Sequence, residues 1–244
     1  MTLLHTFTDW IPKKNLTLFT DFISSAKPFG IVRSNNATIG IPTDVYSNEN
    51  ADCLGTVTCT LGIGTSGTVF ANRIGIFQSV DTSAAISRAW DIRKGEYEIE
   101  ARLKTSVSAA ADCIMTCGYT LNHNQALESG AYFYHLNGQT TWRAAVSAGA
   151  AVPGQNILAE FDTGVPVANW QVLRVESTKA ATNFLFFVNG QRVWKWVGND
   201  VAERAATGSY AMPCIEIRDR VAGGGARANS FTVDYMKTEE RIVR

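Results

Sequence analysis

Phe184-Leu185-Phe186-Phe187-Val188-Asn189-Gly190-Gln191-Arg192-Val193-Trp194-Lys195-Trp196 reads as two apolar strands folded back on one another. Asn-Gly accepts the positive φ angles that a two-residue type I′ turn requires, and the residues on either side have high strand propensity, so the stretch predicts a β-hairpin. A second copy of the same chemistry lies upstream. There Ala131-Tyr132-Phe133-Tyr134-His135-Leu136 leads into Asn137-Gly138 and then Gln139-Thr140-Thr141-Trp142-Arg143. No fixed period links the two hairpins, which excludes a propeller or solenoid.

Working outward, Glu96-Tyr97-Glu98-Ile99-Glu100-Ala101-Arg102-Leu103-Lys104 alternates charged and apolar residues without a break. A period of two gives a strand with one buried and one wetted face. Further strands are predicted at 112–121, 156–162, 170–177 and 214–220, and at 230–237 with Phe231, Val233 and Tyr235 on one face. Residues 53–80 supply two or three more, with Gly62, Gly64 and Gly67 marking bends or bulges. No helical period persists after Trp90. Many antiparallel strands joined by hairpins imply two packed sheets, an all-β sandwich or jelly roll.

Residues 1–50 differ in character. They are rich in Asn and Thr, carry Pro12, Pro28 and Pro42, and lack an apolar pattern sufficient for a core of their own. They are expected to form an extended N-terminal arm, with a short helix over 17–26 as one option, and Trp10, Leu16, Leu18, Phe19 and Phe22 as its docking residues. The remaining 51–244 would be the sandwich, best supported over 90–240.

Composition limits the function classes. The 22 basic and 22 acidic residues cancel, so no long-range field would draw the chain to nucleic acid or anionic lipid. No apolar run is long enough to cross a bilayer, and no secretory signal opens the chain, so a soluble protein without membrane insertion is expected. The five cysteines are an odd number, which favours free thiols and folding in a reducing cytoplasm. Cys53 and Cys59, and Cys113 and Cys117, are not spaced as zinc pairs, and His5, His123 and His135 are scattered, so no metal or other cofactor is expected.

The run Asn169-Trp170-Gln171-Val172-Leu173-Arg174-Val175-Glu176, followed by the strand ending Val188-Asn189-Gly190, resembles concanavalin-like laminin-G and lectin sandwiches. The likeness continues through Cys214-Ile215-Glu216-Ile217-Arg218, Gly223-Gly224-Gly225 and the closing Phe231-Thr232-Val233-Asp234-Tyr235-Met236. That last arrangement is similar to sandwich domains of bacteriophage tail fibres and capsid-attached proteins. The resemblance implies a concanavalin-like β-sandwich and a non-enzymatic virion structural protein, a capsid decoration or tail-fibre module folded in the host cytoplasm. Its partners would be copies of itself, as a homotrimer or dimer, and neighbouring virion proteins such as the major capsid protein.

Two other functions fit the same fold. A lectin-like module recognising a host surface glycan would stack sugar rings on Trp194 and Trp196, or on Tyr132 and Tyr134, provided those faces point outward. A hydrolase would resemble the family-16 glycosidases, whose Glu-x-Asp-x-x-Glu signature sets acids side by side on one strand. Glu96, Glu98 and Glu100 share a strand face but continue into Arg102 and Lys104 with no aspartate among them, so they read as a solvated surface. Arg218-Asp219-Arg220 with its glycines lacks the helix that a phosphate cradle needs. Asn199-Asp200 is the one compact candidate for calcium, and no Gly-x-Ser-x-Gly elbow occurs.

Overall fold

The computed structural model describes residues 15–20, 30–33, 38–40, 56–61, 73–77, 90–91, 95–106, 113–120, 130–136, 138–147, 157–178, 182–198, 210–219 and 229–242. Trp10, Phe22, Cys53, His5, His123, Asn199-Asp200 and Gly223-Gly224-Gly225 lie outside them.

The alternation of Glu96–Lys104 gives the centre of one sheet. Gly95–Ser106 (β7) buries Tyr97, Ile99, Ala101 and Leu103 and turns its charges outward. It pairs with Gln171–Thr178 (β12) on one side and Asn229–Ile242 (β16) on the other. Beyond β12 lies the predicted hairpin, Asn183–Val188 (β13) and Gln191–Val197 (β14). Asn189 at φ 50° and Gly190 at φ 80° make its turn type I′, and the Asn189 side chain ties the turn to β12 by accepting from Val172 N at 2.9 Å. On the far side of β16 are Val57–Leu61 (β4) and, beyond it, Thr38–Gly40 (β3). This is sheet A.

Sheet B runs from Ile157–Pro166 (β11) through Thr141–Ser147 (β10), Gly130–Leu136 (β9), Cys113–Thr120 (β8), Tyr210–Asp219 (β15) and Arg73–Phe77 (β5) to Gly30–Arg33 (β2). Trp90–Asp91 (β6) also pairs with β15. All recorded pairings are antiparallel. One buried cluster joins the sheets: Ile99, Leu103, Leu173, Val175, Phe184 and Phe186 from sheet A meet Met115, Cys117, Phe133, Trp142, Ile215 and Ile217 from sheet B. Each large apolar side chain sealed there contributes about 1.5–3 kcal/mol. Cys59, Cys113, Cys117 and Cys214 are buried.

Segment 1–50 contributes three strands to these sheets. Asn15–Thr20 (β1) pairs with β16, β2 with β5 and β3 with β4. Leu16, Leu18 and Phe19 stand opposite Glu240, Thr238 and Lys237. Residues 17–20 are therefore strand and not the start of a helix. β-branched and aromatic residues suit a pleated surface, and β16 beyond Val233 offers them an unpaired ladder.

The closing strand departs from simple alternation. A bulge between Val233 and Tyr235 reverses its faces, so Met236 enters the core while Tyr235 turns outward and donates its hydroxyl to Glu100 at 3.0 Å. Phe231, Val233 and Tyr235 thus do not share a face, because the bulge inserts one residue, Asp234, which binds Arg102 at 2.9 Å.

Candidate functional site

The outer face of sheet B is buried almost throughout, unlike that of sheet A. β9 is buried on both sides: Ala131, Phe133 and His135 face the core, while Tyr132 and Tyr134 face away from it. The strand registers line up a polar row across this outer face. Glu216 stands opposite Thr116, Thr116 opposite Tyr134, Tyr134 opposite Arg143, and Arg143 opposite Asp162. The next row is Cys214, Gly118, Tyr132, Ala145 and Glu160. Gly118 is obligatory in it, since a Cβ there would lie 2.5 Å from the Ala131 carbonyl oxygen and 2.5 Å from Tyr132 Cα.

At the β9–β11 end the two rows converge on one carboxylate. Tyr134 donates its hydroxyl to Glu160 Oε2 at 2.5 Å, and Arg143 Nη2 donates to Oε1 at 2.6 Å. Burial, then the hydrogen bond to Glu160, pushes the Tyr134 phenol well above its ordinary range, so it keeps its proton. Asp162, exposed and two residues further along the same face, accepts from Gly164 N at 2.9 Å and Thr141 Oγ1 at 3.0 Å, both on Oδ1. These bonds, that from Gly164 first, lower its pKa and hold it ionised. Tyr134, Arg143 and Glu160, with Leu136, Gln139 and Ile157–Ala159, line an open cleft of about 490 Å3.

Deeper on the same face, Tyr132 donates to Ser147 Oγ at 3.1 Å, and burial pushes its pKa up to about 12. Glu216 and Arg218, on one face of β15, form an ion pair wholly removed from solvent. Among the described residues no three His, Cys, Asp or Glu side chains are grouped as a metal would require.

The two aromatic pairs considered for sugar stacking lie on different sheets. Trp194 and Trp196 are half-buried at the margin of sheet A, packed against Phe186 at 5.1 Å and Phe184 at 5.9 Å between ring centroids. Tyr132 and Tyr134 lie on the other sheet, edge to face at 6.0 Å, and both are buried. Of the four, Tyr134 reaches the cleft. Glu96, Glu98 and Glu100 lie on the outer face of sheet A within an ionic lattice: Lys237 binds Glu98 at 2.9 Å and Arg241 binds Glu239 at 2.9 Å.

Glu160, Asp162 and Arg143 were not among the residues that sequence reasoning selected, although a signal for two of them was present. Glu160-Phe161-Asp162-Thr163-Gly164-Val165 carries the first two acids of the Glu-x-Asp-x-x-Glu pattern, with Val165 in place of the third. Val165 packs against the core.

An endo-1,3-β-glucanase from Streptomyces sioyaensis superposes with a TM-score of 0.52 at 13% identity, covering 95% of this chain and 98% of that one. A β-1,3-1,4-glucanase (lichenase) from a mouse hindgut metagenome gives 0.52 at 10%, covering 93% and 99%. Alginate lyase A1-II', of polysaccharide lyase family 7, gives 0.52 at 12%, covering 81% and 86%. The fold is the concanavalin-like jelly-roll sandwich. No protein-family model matches the chain, and no curated protein matches it in sequence.

This finding corrects the non-enzymatic expectation. A lyase and two glucanases are among the solved structures that share the fold over most of their length. The expectation rested on the resemblance to virion proteins and on the lack of a linear catalytic signature, whereas strand register brings Glu160, Tyr134 and Arg143 together from three strands. These structures lend nothing to the bacteriophage virion reading.

Proposed function

We propose that the protein binds a neutral β-linked glucan in the sheet B cleft and hydrolyses its glycosidic bonds. The observation that carries this is the Tyr134–Glu160–Arg143 constellation, with Asp162 beside it, in an open cleft on a concanavalin-like sandwich. Hydrolysis needs one group to protonate the leaving oxygen and another to activate water or attack the sugar. Glu160 and Asp162 project from one strand face about 7 Å apart along the chain, which leaves room between them for a reacting oxygen and a water. The Glu160 carboxylate, bonded by both Tyr134 and Arg143, holds the Tyr134 hydroxyl, and that phenol, which keeps its proton in the free protein, gives it to the leaving oxygen. Asp162, exposed and held ionised, accepts the proton of the attacking water. Arg143 fixes Glu160 from the other side and donates to sugar hydroxyls.

Charge selects the substrate class. Around the cleft, among the described residues, Glu160 and Asp162 outnumber Arg143, so a chain bearing uronates would meet excess negative charge while a neutral glucan meets hydrogen-bond acceptors. The test is release of reducing ends from β-1,3-glucan, mixed-linkage β-1,3-1,4-glucan and alginate. The parent protein should cleave a glucan and leave alginate intact, and Asp162→Asn should lose about a hundred-fold or more in rate. Absence of binding and cleavage across the two glucans, or full activity in Asp162→Asn, overturns the proposal.

A further inference from the structure

Three large apolar residues are prominently exposed among the described residues, Leu158, Phe161 and Val197, and all lie on β11 and β14. These strands are the free edges of their two sheets and meet along one margin of the sandwich. Phe161, 40% exposed, sits between Glu160 and Asp162 but points to the opposite side of β11. Its ring lies nearly parallel to the Trp194 indole, at 13° with centroids 6.2 Å apart. Trp194 rests in turn on Phe186 at 5.1 Å, and Phe186 on Phe133 at 5.4 Å. An aromatic file thus runs from the core to the surface, with Phe161 backed by Trp194 on one side and partly open to solvent.

We propose that Phe161, backed by Trp194, is a stacking subsite for the part of a glucan chain that leaves the cleft across β11; this rests on the glucan reading above. Continuity with the cleft favours a sugar as the occupant. Leu158, Ala159 and Glu160 line the cleft, Phe161 follows Glu160 directly, and Ala159 lies on the Phe161 side of the strand, so the cleft ends next to the Phe161 ring. Pyranose rings present an apolar C–H face that suits a fixed aromatic ring, and their hydroxyls can bond the backbone groups along the outer edge of β11, which no described strand pairs. A rigid, pre-positioned ring loses little entropy on binding. The subsite would make recognition depend on chain length: short oligosaccharides fill the cleft, and longer ones also reach Phe161.

The experiment is calorimetric titration of the full chain with a ladder of β-1,3-1,4-gluco-oligosaccharides, for the parent, Phe161→Ala and Phe161→Tyr, each carrying Asp162→Asn so that the ladder is not cleaved, with thermal unfolding to show that each variant folds. Phe161→Ala should leave the affinity for the shortest bound oligosaccharides unchanged and weaken the longest about three- to ten-fold, while Phe161→Tyr retains parental values. Equal weakening at every length, or none, overturns the subsite and leaves the cleft reading standing. A parent dimer converted to monomer by Phe161→Ala also overturns it, because the patch is then an interface between copies. A parent that binds no member of the ladder overturns the glucan reading and the subsite with it.

Discussion

The two sheets turn very different outer faces away from a shared core. On sheet A, Glu176, Glu98 and Glu239 stand in one cross-strand row, a like-charge arrangement offset by Arg174, Lys237 and Arg241. On sheet B the outward positions carry Tyr132, Tyr134, Thr116, Glu216 and Arg218, all buried, with Glu216 paired to Arg218, Tyr132 bonded to Ser147 and Tyr134 to Glu160, and the face opens to solvent at Glu160 and Asp162. Charge in plain alternation marks a face that water covers. Polar groups set among apolar neighbours mark a face where their interactions are stronger and their chemistry more selective.

Breaking the buried pair should separate the faces most widely. Arg218→Met leaves the Glu216 carboxylate in the interior without its guanidinium and should destabilise the fold by about 3–5 kcal/mol in urea unfolding. A loss below 1 kcal/mol would mean that water reaches this face and the contrast fails.

His135 sharpens the comparison on the core side of β9, where its ring lies edge to face against Trp142 at 5.1 Å. Burial lowers its pKa from 6.5 to about 4, so it is neutral when folded, whereas the unfolded chain binds a proton below 6.5. Stability is therefore complete above pH 6.5 and declines as pH falls toward 4, by about 1.4 kcal/mol per unit from this residue. His135→Phe should show a flatter profile across that window, measured by unfolding at successive pH values. An identical slope would place the histidine in contact with water.

The smallest effect belongs to sheet A. Glu98→Gln removes a partly exposed partner of Lys237 and should change stability by less than about 1 kcal/mol, since such pairs are screened and share neighbours. A larger loss in urea unfolding would show that the lattice acts as a unit.

What sequence could reveal follows the same division. The alternation of Glu96–Lys104 and the Asn189-Gly190 turn are local patterns, and both gave the observed elements. The bulge at Asp234 has no local signature, so Tyr235 was assigned to the wrong face. The cleft was harder still, because β9 is buried on both sides: Tyr134 was a candidate for stacking a sugar with its ring, whereas its ring is buried and its hydroxyl is bonded to Glu160. Tyr134, Arg143 and Glu160 come from three strands whose register is set by packing, and the Glu160-x-Asp162 pair lacks the third acid that would have marked it.

The most direct test sets one glutamate from each face against the other. In assays of reducing-end release from mixed-linkage β-1,3-1,4-glucan, Glu160→Gln should lose about a hundred-fold or more in rate with the fold intact, while Glu98→Gln keeps the parental rate. Full activity in Glu160→Gln, or a comparable loss in Glu98→Gln, would contradict the assignment of function to sheet B.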